Sequence, residues 1–185
     1  QQIWLRTNPV ILTGPANQST SPTLSLVSSL GGPLRPFLTP NSLNPVWPMD
    51  GSLLIFHHST LGDPIMVAEP DGRGEKQIFK SRAGEHQHYV MISPDKRYIY
   101  FVRLWRSTEG DVWRIPAEGG EPERLTHHNS HVAYPVLLDD RTLLYRATSP
   151  DGGCAIFGMD VERRIPHQLT SGVEEYQSLS ASADG

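Results

Sequence analysis

Residues 93–101 read Ser-Pro-Asp-Lys-Arg-Tyr-Ile-Tyr-Phe, a tight turn built on Asp95 followed at once by a run of aromatic and β-branched residues. The pairing recurs. Pro48-Met49-Asp50-Gly51 leads into Leu53-Leu54-Ile55-Phe56, Leu138-Asp139-Asp140 leads into Leu143-Leu144-Tyr145, and Ser182-Ala183-Asp184-Gly185 repeats the turn. The four aspartates stand at 50, 95, 139 and 184, so the spacings are 45, 44 and 45 residues. A fixed period of this size signals a repeat architecture, in which one supersecondary unit is stacked on copies of itself. In such a turn proline fixes φ, the carboxylate accepts backbone N–H groups and glycine supplies positive φ. The turn aspartates are therefore read as structural.

Working outward, each turn is preceded by a strand, at Leu43–Trp47, His88–Ile92, Val132–Leu137 and Tyr176–Ser180. A third strand follows at Ile65–Ala68, Val112–Ile115 and Ala155–Met159, running into turns such as Pro70-Asp71-Gly72 and Glu118-Gly119-Gly120. A fourth closes each unit at Glu75–Phe79, Glu121–Thr126 and Ile165–Thr170. The strand after each turn is almost continuously apolar, the pattern of a strand covered on both faces. Four strands in about 44 residues match a propeller blade in length and strand count. The expected fold class is all-β, a β-propeller of four-stranded antiparallel blades; a sandwich leaves the longer period unexplained.

The expected parsing is a partial N-terminal blade over 1–41, full blades over 42–83, 84–128 and 129–172, and the first strand of a truncated next blade over 173–185. Pro9–Thr13 reads as a blade ending, yet the next, Pro36–Thr39, follows too soon for a full blade. Two of the four N-terminal strands are thus expected to be missing or rerouted through the Ser/Thr/Pro-rich segment from Gly14 to Thr23. Gln1 at the start and a repeat cut at Gly185 point to a partial propeller of three full and two partial blades, in preference to a small ring closed by Tyr176–Ser180.

Ser93-Pro94-Asp95 before Arg97–Phe101, and Asp111-Val112-Trp113-Arg114-Ile115-Pro116-Ala117-Glu118-Gly119-Gly120 before Arg124-Leu125-Thr126, resemble TolB-like, WD-repeat-like propellers. The resemblance covers roughly Leu24 to Gly185, and Gly84–Thr170 looks most like propellers attached to bacterial serine/threonine kinases and winged-helix regulators. It implies a scaffold that binds ligands or proteins. Lys96 and Asp140 stand where the family has glycine after the turn aspartate.

Composition narrows the function classes. A net charge of -4 with scattered basic residues excludes a phosphate-tracking surface, so no direct nucleic-acid contact is expected. No stretch reaches the length of a membrane-spanning helix. The single cysteine, Cys154, forbids an internal disulfide framework and leaves the compartment open. There is no Gly-x-Ser-x-Gly elbow and no phosphate-cradling Gly-x-x-x-x-Gly-Lys, and Gly72-Arg73-Gly74 falls in a hairpin turn.

The eight histidines carry the remaining signal. His88 and His131 precede their turn aspartates by seven and eight residues, near the start of the innermost strand. His57 and Arg146 follow theirs by seven, and Arg103 by eight. One loop face is thus expected to gather a polar, partly cationic rim of His57, His86, His88, Arg103, His131 and Arg146, suited to a small anionic or carbohydrate ligand or a protein tail. Trp105, placed in a loop after the second strand, is the candidate exposed recognition residue. Neutral imidazoles from neighbouring blades could hold a metal, but no ligand spacing fixes a third donor, so neither metal nor other cofactor is assigned. The reading is a non-enzymatic binding module of a larger protein with a protein or peptide partner. The alternative is a metal-dependent, oligogalacturonate-lyase-like carbohydrate-active enzyme using channel histidines.

Overall fold

The structure, a computed structural model, describes residues 2–7, 23–106, 109–171 and 178–181. Every regular element among them is a strand. The first sheet holds β1 (Gln2–Thr7), β2 (Thr23–Ser28) and β3 (Arg35–Phe37). The second holds β4 (Ser42–Val46), β5 (Leu54–His58), β6 (Ile65–Ala68) and β7 (Lys76–Phe79). The third holds β8 (His86–Ile92), β9 (Tyr98–Arg106), β10 (Glu109–Pro116) and β11 (Glu123–Arg124), and the fourth holds β12 (Ala133–Leu137), β13 (Thr142–Thr148), β14 (Cys154–Asp160) and β15 (His167–Gln168). Each sheet is an antiparallel meander whose neighbours follow chain order.

The first sheet has three strands, where the sequence spacing left room for two; β1 pairs with β2 along its whole length, Gln2 opposite Ser28 through Thr7 opposite Thr23. The expected ending at Pro9–Thr13, the irregular segment up to residue 22, the start of the last strand at Tyr176 and the turn at Asp184 lie outside the described residues. Ser178–Ser180, expected in that last strand, is not in a strand.

Packing explains the continuous apolar runs. Along a strand, successive side chains point to opposite faces. In β5, Leu54 and Phe56 face the first sheet, packing with Leu24 and Phe37, while Ile55 faces the third and meets Ile99 and Phe101. In β9 the alternation continues: Tyr100 and Val102 turn to the fourth sheet and pack with Leu143 and Tyr145. Three cores in sequence therefore glue four sheets face to face, and each fully buried Leu, Ile or Phe contributes about 1.5–3 kcal/mol. β13 differs: Leu143, Tyr145 and Ala147 are buried, whereas Leu144 and Arg146 on its other face are only half-buried.

The turns link the sheets as well. Asp50, Asp95 and Asp139 each accept backbone N–H groups two or three residues on. Lys96 takes positive φ (61°) in place of glycine, and its Nζ reaches back 2.6 Å to Asp50 of the preceding blade. Asp140 accepts the Asp95 N–H at 2.8 Å. The two departures from glycine thus clasp three successive turns. At the opposite end, Asp63 accepts from His86 and the Gln87 N–H, and buried Asp111 accepts from Thr126, Arg124 and the N–H groups of His128 and Asn129. Each carboxylate pins the start of the next blade.

Candidate functional site

The innermost strands β4, β8 and β12 carry the two candidate regions, one at each end. All three are broken by a bulge, at Leu43/Val46, His88/Met91 and Ala133/Val136. At each bulge one residue is left-handed: Asn44 (φ 51°), Tyr89 (φ 56°) and Tyr134 (φ 51°). A bulge kinks the strand and re-aims its side chains, so the three inner strands turn equivalent residues in the same way.

At the end beside these bulges, the rings of His57 and His88 lie 6.2 Å apart, His88 and His86 6.4 Å, and His88 and Tyr89 6.0 Å; Tyr89 meets Tyr134 edge-on at 4.9 Å. Burial lowers the His88 pKa despite the opposing charge of Asp63. Burial and then the neighbouring Tyr134 push the Tyr89 hydroxyl up to about 12. His131 stands exposed just before β12, its pKa lowered by burial and by the Arg146 charge. Arg146 sits opposite Ala133, with Nε 2.6 Å from Cys154 Sγ.

Arg103 of the expected rim, and Trp105, are committed to internal contacts. Arg103 is an internal strut: its guanidinium pairs with Glu85 at 2.7 Å and lies over the rings of Phe79 (5.6 Å) and Trp113 (4.9 Å). Burial would raise the Glu85 pKa, but the Arg103 hydrogen bond and charge outweigh it and hold the carboxyl below its usual range. Trp105 is not in a loop. β9 runs on to Arg106 because β10 pairs with it from Glu109, and Gly110 permits this closeness, since a Cβ there would come within 2.5 Å of the Arg103 carbonyl oxygen. The Trp105 ring is half-buried under Arg124, 5.0 Å away. Among the described residues no three His, Cys, Asp or Glu side chains converge on a metal position.

The other end of the inner strands holds what the sequence reading missed, a cavity of about 650 Å³. Its wall is Val46–Met49 of the second sheet, Met91–Pro94 of the third and Pro135–Asp140 of the fourth, with Ala181 beside them. In each repeat these begin four residues before the turn aspartate, and Ala181 falls three before Asp184. One stretch of the repeat, contributed by successive blades, lines a common axis. That shared offset is the signal that was available in the sequence.

No family model and no curated protein sequence matches the chain. Solved structures do. TolB from Acinetobacter baumannii superposes with a TM-score of 0.61 at 20% identity, covering 81% of this chain and 38% of that one. The fold is a TolB-like β-propeller. A Mycobacterium tuberculosis puromycin-hydrolyzing peptidase gives 0.68 at 14% identity over 91% of this chain and 29% of its own, and an oligogalacturonate lyase in complex with manganese gives 0.59 at 18% over 80% and 42%. The TolB-like chain spans from 24% to 57% of the length of such structures. At these identities the likeness concerns the fold. In this TolB-like propeller the ring cluster at one end of the inner strands and the cavity at the other must be judged on their own chemistry.

Proposed function

We propose that this TolB-like propeller is a non-catalytic binding module, a scaffold or sensor part of a larger protein, and that it receives a protein or peptide segment in the turn-end cavity. The observation that carries the reading is the cavity itself: three blades contribute the same repeat positions to an apolar concavity within the size range of ordinary ligand sites. Its rim is stiffened by the Lys96–Asp50 and Asp95–Asp140 clasps, which favours binding by limiting the ordering cost. The ring cluster supports catalysis less well. Asp63 engages His86 of the next blade, while Asp111 engages Arg124 and Glu85 engages Arg103 within one blade, so these carboxylates are spent on structural pairs. The resemblance to propellers of kinases and winged-helix regulators supports a sensor role within a longer chain.

The series His57, His88, His86 favours a second reading, a metal-dependent carbohydrate-active enzyme, and the likeness to a manganese-bound lyase adds to it. One experiment separates the two. Purified protein is titrated with fluorescent apolar peptides, and in parallel incubated with manganese and oligogalacturonate, alongside Met49→Asp and His88→Ala/His131→Ala variants. Micromolar peptide binding lost in Met49→Asp supports the module. Unsaturated sugar product, with stoichiometric metal lost in the double histidine variant, overturns it.

A further inference from the structure

The turn-end cavity has a sign as well as a shape. Its wall is apolar, from Val46 and Trp47 through Met91 and Ile92 to Val136 and Leu137, and among the described residues the only charged ones lining it are Asp139 and Asp140. Asp139 is fixed as an anion: the backbone N–H groups of Arg141 and Thr142 hold its carboxyl below the usual range. Asp140 spends one oxygen on the Asp95 N–H. The cations nearby are engaged elsewhere, Lys96 on Asp50, Arg97 on Asp95 and Arg141 on Asp160. Arg141 and Arg97 still act on Asp139 and Asp140 through their charge. The carboxylates here, Asp50, Asp95, Asp139, Asp140 and Asp160, nevertheless outnumber the three cations, so the mouth keeps a negative excess next to an apolar wall, on a chain whose net charge is already -4.

We infer that the occupant of the cavity is an apolar peptide segment bearing a positively charged side chain, which the Asp139 and Asp140 carboxylates receive at the mouth. The inference rests on the binding-module reading and adds the partner's chemistry. An apolar segment fills the wall, where Met49 and Met91 adapt to irregular side chains. A lysine or arginine in it offsets the negative excess of the carboxylates, and a glutamate in its place meets repulsion, which is how charge sets partner choice. An anionic membrane surface is repelled by the same carboxylates.

Three labelled pentapeptides, Leu-Leu-Lys-Leu-Leu and its Gln and Glu counterparts, all blocked at both ends, are titrated by fluorescence anisotropy into the wild type and into Asp139→Asn/Asp140→Asn. Asparagine keeps the oxygen that accepts the backbone N–H groups and removes the charge. The Lys peptide should bind about tenfold more tightly than the Gln peptide and the Glu peptide more weakly still. The double variant should lose this order while binding the Gln peptide as before. Salt tests the same point without a mutation: raising it to about 0.5 M should collapse the Lys preference, because partly exposed charges are screened at that strength. Equal, salt-insensitive binding of Lys and Gln peptides overturns the inference and leaves the binding module intact. No binding of any peptide overturns both.

Discussion

The two ends of the innermost strands are made from the same repeat yet do opposite work. At the bulge end, charged and aromatic side chains find partners: His86 on Asp63 and Tyr89 on Tyr134 across blade boundaries, and Arg103 on Glu85 of its own blade and between the rings of Phe79 and Trp113. At the turn end the side chains are apolar and converge on empty space, with two carboxylates at its edge. Polar groups do not by themselves mark a functional site; whether their bonding capacity is already consumed is what separates joint from receptor.

If the bulge end is a joint, substitutions there should cost stability, and those at the turn end should cost binding. The largest effect is expected for Asp111→Ala. It strips a fully buried carboxylate from Arg124, Thr126 and two backbone N–H groups, and should lower the unfolding free energy by about 3–5 kcal/mol in urea titrations. A change under about 1 kcal/mol would dissolve the contrast. Arg103→Gln should cost about 2 kcal/mol, since it removes a hydrogen-bonded charge pair and two ring contacts.

The pH dependence sharpens the same contrast. His88 and His128 have pKa values lowered chiefly by burial, so the unfolded chain takes up their protons first. Their contribution is complete above the unfolded value near 6.5 and is lost as pH falls below it, which should appear as a declining thermal midpoint from pH 7 to pH 5. The turn carboxylates act in a lower window. Asp50 is lowered to about 2 chiefly by the Lys96 hydrogen bond, and Asp95 to about 2 because hydrogen bonds from Arg97 and Ser93 outweigh its burial. Their contribution is present above 3.8 and lost as pH falls toward 2. The smallest stability effect belongs to Met49→Asp at an exposed position beside the cavity: a change within about 0.5 kcal/mol, with peptide binding lost.

The fold was legible because its determinants are local and repeated. The turn aspartates keep their 44–45 residue spacing, and runs such as Tyr98–Phe101 are apolar on both faces because sheets cover both. The site was legible only in part. His57, His86 and His88 could be brought together by counting from the turn, but Trp105 was misplaced in a loop, because the length of β9 depends on where β10 pairs with it, and the pairing of Arg103 with Glu85 was not visible in the spacing. The bulges were hidden as well, since two of their three left-handed positions hold tyrosine where glycine or asparagine would have announced them. The cavity depends on how three strand ends meet, which no single stretch encodes.

Four methionines divide the molecule conveniently: Met49 and Met91 line the cavity, while Met66 and Met159 are buried between sheets. Methyl-labelled methionine spectra recorded during titration with the Lys peptide, together with imidazole resonances, read both ends at once. The account predicts shifts at Met49 and Met91 with the imidazoles of His57, His86 and His88 unmoved. Shifts confined to those imidazoles, with Met49 and Met91 silent, would place the receptor at the wrong end and contradict it.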